Sequence, residues 1–195
     1  MPTKRGSPPC SVLTQTTYAA AMANAATRVV LLDSGDTLVD EGSEIHDAHG
    51  VVRFAHLVPT AHALVDGLLR LGVRIGLVAD GLTASFKTVH GMHGLWDAFE
   101  ARAISEEVGV TKPHAAMFET ALEQMGVPKQ DYSRVMMLGN DLERDIAGAN
   151  ALGLTSVWLN WSPRRRKTPQ SSLEVPDHTV SMPEGLLTLL KAVSD

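Results

Sequence analysis

The sequence predicts a three-layer α/β fold, in which a parallel sheet carries helices on both of its faces. Apolar runs of strand length alternate along the chain with segments whose apolar residues recur at helical spacing. The runs are apolar throughout instead of alternating with polar residues, which is typical of strands buried on both sides. Strands that alternate with helices in this way indicate a parallel sheet whose connections are helical.

The predicted strands are short, and several end at an acidic or small residue. The first reads RVVLLD, and later ones include IGLVAD and VMMLG. The predicted strands cover 28–33, 73–80, 101–105, 134–139 and 154–161.

The predicted helices have apolar residues three and four positions apart. TAHALVDGLLRLG is the clearest, because Pro59 precedes it and Gly72 closes it, as expected at the two ends of a helix. The predicted helices cover 60–72, 83–93, 114–126, 142–153 and 183–193.

The length of 195 residues suits one domain, which we expect to span 28–195 after an N-terminal extension at 1–27. The extension opens with the proline-rich MPTKRGSPP and continues into an alanine-rich stretch, which predicts a flexible segment or a short helix. Hydrophobic residues make up 44% of the chain, so a sizeable core can be buried.

Composition excludes several functional classes. The net charge of −5 argues against general nucleic-acid binding, and no apolar run approaches the roughly 20 residues of a membrane helix. Cys10 is the single cysteine, so no disulfide can form within the chain. This cysteine usage fits a reducing compartment, and we therefore expect a cytoplasmic protein with no membrane partner.

Acidic and amide side chains follow several predicted strands directly. Asp33, Asp80, Glu106 and the pair Asn140–Asp141 all stand at such positions. Ligands of open parallel sheets bind beyond the carboxyl ends of the strands, so these side chains would meet at one edge. Asp and Asn also cap helices, which gives each residue alone a structural explanation. Their recurrence at successive strands favours a binding or catalytic site.

Four segments match the motifs of a known family in order and spacing. They are LLDSGDTLVD with Asp33, IGLVADG with Ala79, EEVGVTKPHAAMFETAL with Lys112, and VMMLGNDLERDIAGANALGL with Asn140. On these segments, which span about 28–160, the chain resembles the haloacid dehalogenase-like superfamily of phosphatases and related hydrolases. The resemblance implies a Rossmann-like sheet.

The resemblance also implies Mg²⁺-dependent hydrolysis through an aspartyl-phosphate. Asp33 would be the nucleophile, and Lys112 the cation that holds nucleophile and phosphate together. The implied phosphate-binding residues are Ala79, Asp80, Gly81 and Lys112. The implied metal ligands are Asp33, the main-chain carbonyl of Gly35, Asn140, Asp141 and Asp145. Oxygen ligands of this kind suit a hard cation.

Three positions depart from the pattern of the family's phosphatases. Gly35 stands where those phosphatases carry the aspartate that serves as general acid and base. Ala79 replaces a serine or threonine that contacts phosphate, and Asn140 replaces an acid of the metal site. The resemblance therefore keeps the nucleophile and the lysine but leaves the acid–base role unassigned.

Other side chains are candidates for the missing roles. Those for the acid–base role are Asp36 and Asp40, and those for the phosphate contact are Thr83 and Ser85. His46 and His49, in EIHDAHGVV, either reach the site from a flap or are exposed loop residues, and the second interpretation is the simpler one.

The spacing between elements leaves room for a flap but not for a cap domain. Residues 39–58 suit a hairpin-like flap, and 82–104 hold one helix. An open site suits a large phosphorylated substrate, or a partner that closes it, such as the second subunit of a homodimer. The segment Arg164–Lys167 follows the last core strand, where its four cations either attract a phosphorylated or polyanionic ligand or form a solvated loop.

Three functions are consistent with these observations. The leading one is a capless Mg²⁺-dependent phosphatase that acts through Asp33 on a phosphorylated small molecule or macromolecule, slowly because Gly35 replaces the acid–base residue. The second is a catalytically silent relative that binds a phosphorylated ligand or a protein. The third is a dehalogenase, which does not need the missing aspartate but for which the absent cap is unfavourable.

Overall fold

The computed structural model describes residues 28–192, and its centre is a sheet of six parallel strands. The strands are β1 (Val29–Leu32), β2 (Ile45–His46), β3 (Val52–Phe54), β4 (Arg74–Ala79), β5 (Ala101–Ile104), β6 (Val135–Gly139), β7 (Thr155–Leu159) and β8 (His178–Val180). The order across the sheet is β5-β4-β1-β6-β7-β8, while β2 and β3 pair with each other outside it.

The helices lie between the strands, as predicted. They are α1 (Ala61–Arg70), α2 (Thr83–Met92), α3 (Ser105–Val108), α4 (Ala115–Gln124), α5 (Ala147–Ala151) and α6 (Gly185–Ala192). A π-helical turn, Leu142–Ile146, leads into α5. None of the helices within 28–192 is long and apolar enough to cross a membrane.

The predicted Rossmann-like fold class is confirmed, with differences at the ends of elements. Each of the five predicted strands is present but shorter than expected. The segment 142–153 is helical, but it begins with the π-helical turn. Two short elements were not predicted: α3, which follows β5 without a loop, and β8, which has only three residues. The predicted extension at 1–27 and the last residue of the predicted helix 183–193 lie outside the described residues.

The core has two apolar layers, one on each face of the sheet. Val30 of β1 belongs to the layer that also contains Leu64 of α1 and Leu186 of α6. Leu31, the next residue, belongs to the other layer with Phe118 of α4. All four leucine and phenylalanine side chains are fully buried. Because successive residues of a strand point to opposite faces, a wholly apolar β1 serves both layers.

The flap predicted at 39–58 is a small hairpin. Ile45 of β2 pairs with Phe54 of β3 in an antiparallel arrangement. The backbone N–H of Val52 donates to Ser85 Oγ at 2.9 Å, so the hairpin is tied to α2. Between β1 and α1, the described chain contains no helix or strand besides this hairpin and a 3₁₀ turn at Glu41–Ser43.

Candidate active site

The acidic strand ends meet at one edge of the sheet, as the sequence predicted. Asp33 follows β1, Asp80 follows β4 and Asn140 follows β6, and β1 pairs in parallel with both of the other strands. A cavity of about 250 Å³ opens beside them. Its polar lining comes from the strand ends, the flap and two arginines, namely Asp33, Ser34, Glu41, Glu44, His46, Asp80, Ser85, Lys112, Arg144, Asp145 and Arg165.

Asp33 is held in a fixed orientation by two donors. Lys112 Nζ donates to its Oδ1 at 2.6 Å, and Thr37 Oγ1 donates to its Oδ2 at 2.8 Å. Asp33 is only 7% exposed, yet it lines the cavity. The predicted proximity of Asp33 and Lys112 is therefore confirmed, although 79 residues separate them along the chain.

Lys112 is buried between two carboxylates. Besides Asp33, its Nζ contacts Asp145 Oδ1 at 2.7 Å and the carbonyl of Val78 at 3.0 Å. Burial acts to lower the pKa of Lys112, but the charges of Asp145 and Asp33 outweigh it, and the pKa lies above its usual value. Burial and the charge of Asp33 raise the pKa of Asp145, against the effect of Lys112. With both carboxyls ionised, the three side chains would carry one net negative charge, and the raised pKa of Asp145 reflects the cost of that excess.

The end of β4, which carries the second motif, contacts Lys112. Ala79, Asp80 and Gly81 all line the cavity, as their predicted phosphate-binding role requires. Asp80 Oδ1 accepts a hydrogen bond from the backbone N–H of Lys112 at 3.0 Å, so Asp80 also positions the lysine. The backbone N–H of Gly81 donates to Ser105 Oγ at 2.9 Å. The phosphate contact of these three residues stays a prediction.

Thr83 and Ser85 differ in their access to the cavity. The Thr83 hydroxyl donates to Glu107 at 2.8 Å, and its backbone N–H donates to Glu106, so these acids bind the first turn of α2. Ser85 lines the cavity while its oxygen accepts the Val52 N–H of the flap. Of these two candidates for a phosphate contact, Ser85 is the one the fold brings to the cavity.

The fourth motif places Asn140 beside Gly35 of the first motif. Asn140 Nδ2 donates to the carbonyl of Gly35 at 2.9 Å, and Trp158 Nε1 fixes the Asn140 carbonyl at 3.0 Å. Asp141 turns instead to its own helical segment, where it accepts from the backbone N–H of Glu143 and from Arg144 Nε, both at 3.0 Å. Metal ligation by Asp141 stays a prediction, and both of its carboxylate oxygens already accept hydrogen bonds within this segment.

The oxygen donors near Asp33 fit a hard divalent cation. No three acidic, histidine or cysteine side chains converge as a metal cage within 28–192, so neutral oxygens would have to complete the ligand set. The Gly35 carbonyl lies there, next to the Asp33 motif, and accepts from the Asn140 amide nitrogen; ligation by Asn140 would need its amide turned so that Oδ1 faces the cation. Two buried carboxylates with one lysine leave a negative charge for a cation to neutralise.

Asp36, one of the two alternatives for the acid–base role, does not line the cavity. Its side chain is fully buried and accepts from Ser162 Oγ at 2.8 Å and from Arg164 Nε at 2.9 Å. Burial alone would raise the pKa of Asp36, but these hydrogen bonds and the charge of Arg164 outweigh it and lower the pKa. Asp40 does not line the cavity either; it caps the next turn through the Gly42 N–H.

Three of the four cations in Arg164–Lys167 are engaged in ion pairs, although Arg164 and Lys167 are exposed. Arg164 forms ion pairs with Asp36 and Asp40, Arg165 with Glu41, and Arg166 with Glu174 at 2.6 Å. Trp161, just before it, donates from Nε1 to the carbonyl of Asp36. The segment therefore clamps the loop that follows Asp33.

Two residues of the site could not be inferred from motifs. Glu41 lines the cavity, and burial raises the pKa of its carboxyl even though the charge of Arg165 opposes the shift. His90 lies behind Ser34, with Nε2 at 2.9 Å from Ser34 Oγ, and burial lowers its pKa to about 4. Both lie outside the four motif segments, and the folded arrangement of loop and helix brings them to the site.

The two flap histidines have different positions. His46 lines the cavity and lies 3.3 Å from Glu44, so it reaches the site from the flap. His49 does not line the cavity and is exposed in the hairpin turn. Both histidines are exposed, as the simpler interpretation has it, but only His46 also borders the cavity.

Comparison with known proteins agrees with the motifs. A family model described as haloacid dehalogenase-like hydrolase matches residues 17–153. The chain is 39% identical over 133 residues to a pyrimidine 5'-nucleotidase of Escherichia coli, across 68% of this chain and 56% of that protein. It is 28% identical over 149 residues to a glyceraldehyde 3-phosphate phosphatase of Methanopyrus kandleri, across 75% and 63%. The chain spans about half to two thirds of the length of such relatives.

Solved structures share the fold. A HAD phosphatase from Thermococcus onnurineus superposes with a TM-score of 0.68 at 18% identity, over 84% of this chain and 98% of that one. A 2-haloacid dehalogenase from Pseudomonas syringae gives 0.67 at 19% identity, over 85% and 99%. Because the family model spans well over half of the chain and the fold and motif geometry agree with it, this protein belongs to the haloacid dehalogenase-like hydrolase family.

Proposed function

We propose that the protein is a Mg²⁺-dependent phosphoric monoester hydrolase that uses Asp33 as its nucleophile. The contact that carries the proposal is the 2.6 Å hydrogen bond between Lys112 Nζ and Asp33 Oδ1 at the wall of the cavity. It holds the Asp33 carboxylate in one orientation where a ligand can reach it. The curated relatives named above support the reaction class, since one is a nucleotidase and the other a phosphatase.

The chain's own residues account for the first half of the reaction. Asp33 attacks phosphorus, and its oxygen forms the new bond while the ester oxygen leaves. Thr37 holds the attacking carboxylate in one orientation. Lys112 offers a positive charge to the phosphate oxygens as well as to Asp33. The aspartyl-phosphate is then hydrolysed, which regenerates the Asp33 carboxylate.

Asp33, the Gly35 carbonyl and Asn140 would hold the metal, with Asp145 as a nearby negative charge. A bound Mg²⁺ would neutralise the phosphate charge and so let two anions approach each other. This assignment rests on the Asp33 carboxylate and the Gly35 carbonyl after β1, and on Asn140 after β6, whose amide would present its oxygen to the metal.

The cavity favours a small substrate. Its volume of about 250 Å³ lies below the usual range of drug-sized ligand pockets, so it suits a phosphate group with a small alcohol. Glu44 and His46 of the flap form part of the wall, which limits the space above the phosphate. A phosphorylated small molecule is therefore our choice over a macromolecule.

Hydrolysis of an aryl phosphate in the presence of Mg²⁺ tests the proposal. We expect turnover by the wild type and loss of it in Asp33→Asn, with an unchanged melting curve as the control for folding. Turnover that survives in Asp33→Asn would contradict the assignment. No turnover by a folded, Mg²⁺-loaded wild type would favour the silent, ligand-binding relative, for which Gly35 is the motivating observation. Halide release from a 2-haloacid would instead support the dehalogenase.

A further inference from the structure

The space beside Gly35 is already filled by another carboxyl group. A Cβ atom placed on Gly35 would collide with Oε1 of Glu41 and would lie 2.9 Å from its Cδ. Gly35 does not have a positive φ angle, so backbone conformation is not the reason for a glycine. The glycine is thus the opening through which the Glu41 side chain reaches the position where a side chain at 35 would lie.

The Glu41 side chain is built into this position by the loop around it. The backbone N–H of Glu41 donates to Asp36 Oδ1 at 3.2 Å, and Arg164 holds both Asp36 and Asp40. Arg165 Nη2 donates to the two carboxylate oxygens of Glu41 at 2.8 and 2.6 Å. Both Glu41 and Arg165 line the same cavity as Asp33.

We propose that Glu41 is the general acid and base of the reaction, in place of the side chain that Gly35 lacks. The inference rests on the proposed function, because it concerns the same phosphoryl transfer on Asp33. In its place beside Gly35, the carboxyl group lines the same cavity as the nucleophile Asp33. The carboxyl group that the family places two residues after Asp33 would therefore be supplied here by a residue six positions further along the chain.

The proposed reaction takes place in two steps. An oxygen of Asp33 bonds to phosphorus, the bond from phosphorus to the ester oxygen breaks, and that oxygen takes its electron pair and the proton of the Glu41 carboxyl. The Glu41 carboxylate then accepts a proton from water as the water oxygen attacks phosphorus. The bond between phosphorus and the Asp33 oxygen breaks, which releases inorganic phosphate and restores both side chains.

A simpler role for Glu41 is that of an ion-pair partner for Arg165, and leaving-group dependence separates the two roles. An alkyl alkoxide needs a proton as it leaves, whereas an aryl oxide leaves without one. For Glu41→Gln we expect the rate on an alkyl phosphate to fall about 10²–10⁴-fold, and the rate at which Asp33 attacks an aryl phosphate to fall far less. We also expect phosphate to accumulate on Asp33, because its hydrolysis lacks a base.

A second variant tests the shared position directly. Glu41→Ala empties the space beside Gly35. Adding Gly35→Asp fills that space with a carboxyl group attached at residue 35, where the family's phosphatases carry their aspartate. We expect the double variant Gly35→Asp/Glu41→Ala to regain at least about tenfold of the alkyl phosphate rate lost in Glu41→Ala. Glu123→Gln, an exposed change on α4 with the same chemistry, is the matched control and should match the wild type.

The outcomes distinguish this inference from the function on which it rests. If Asp33→Asn is inactive but Glu41→Gln hydrolyses both esters at the wild-type rate without accumulating phosphorylated protein, the Glu41 role is wrong and the phosphatase stands. Equal losses on both esters together with a lower melting temperature would also overturn it, in favour of a purely structural ion pair. If Asp33→Asn keeps full activity, or the wild type attacks no phosphate ester, both proposals fail.

Discussion

Asp33 and Asp145 share one lysine, and this arrangement governs the charge of the site. Lys112 Nζ lies 2.6 Å from one carboxylate and 2.7 Å from the other, and all three side chains are buried. A buried carboxylate without a full counter-charge is costly, so the pair is poised to accept further positive charge. Ligand affinity at this site should therefore depend on single charges at the residues that surround it.

Replacing Asn140 by aspartate is the most direct way to add one negative charge to the site. Asn140→Asp should bind Mg²⁺ about tenfold more tightly, because hard cations favour anionic over neutral oxygen ligands. Titration calorimetry of wild type and variant measures the difference. Gln130→Glu, an exposed change of the same charge, is the control and should leave the affinity unaltered. Equal or weaker binding by Asn140→Asp would exclude Asn140 from the ligand set.

His90 should make the stability of the protein depend on pH. Its pKa is about 4 in the folded state and near 6.5 when unfolded, so the unfolded chain binds the extra proton between these values. Stability is therefore lost as the pH falls from about 6.5 toward about 4. We expect His90 alone to cost about 2 kcal/mol at pH near 5, relative to pH above 7.

Urea unfolding at the two pH values measures this loss. His90→Gln does not titrate in that range, so its free energy of unfolding should change with pH by about 2 kcal/mol less than that of the wild type. Carboxylates elsewhere titrate in both proteins and cancel in the comparison. The same pH dependence in both proteins would mean that His90 is protonated in the folded state.

At the scale of elements, the segment after β7 clamps the loop after β1. Arg164 Nε donates to the fully buried Asp36, whose φ angle of 53° is one that few residues adopt. Arg164→Ala should lower the free energy of unfolding by about 2 kcal/mol, because it leaves a buried carboxylate with fewer donors. Arg53→Ala breaks a more exposed pair with Asp47 and should change stability little. Similar losses in the two variants would contradict the clamp.

Two helical glycines give opposite predictions. A Cβ on Gly148 of α5 would collide with the Phe118 ring and lie 3.4 Å from Pro113 Cα, so Gly148→Ala should destabilise the protein by about 1–3 kcal/mol. Gly91 of α2 has no atom within 4 Å of such a Cβ, so Gly91→Ala should stabilise by about 0.5–1 kcal/mol. Urea unfolding checks both, and a stable Gly148→Ala would show that α4 and α5 are not in close contact.

At the scale of the whole molecule, the sheet and the contact of Asp33 with Lys112 could be predicted from the sequence. Wholly apolar runs and the rule for strand ends are strong local signals, and they placed Asp33, Asp80 and Asn140 at one edge. The loops could not be predicted in this way. Nothing local indicates that Arg164 reaches Asp36, since 128 residues separate them. The polar β8 gave no apolar pattern either.

The position of Glu41 shows the same limit at the centre of the site. Its approach to Gly35 depends on the turn that Asp36 makes and on Arg165 from beyond β7. Motif comparison therefore registers a missing acid at position 35, whereas the folded loop has a carboxyl group in that space. Contacts between residues that are far apart along the chain can be identified only from the folded structure.

Detection of the phosphorylated intermediate tests the central claim most directly. Wild-type protein with Mg²⁺ and an aryl phosphate is quenched in acid, reduced with borohydride to convert an aspartyl-phosphate to homoserine, and mapped by peptide mass spectrometry. We predict homoserine at position 33, and none at position 33 or elsewhere in Asp33→Asn. Modification of another carboxylate, or ester hydrolysis at the full rate with position 33 unmodified, would contradict Asp33 as the nucleophile.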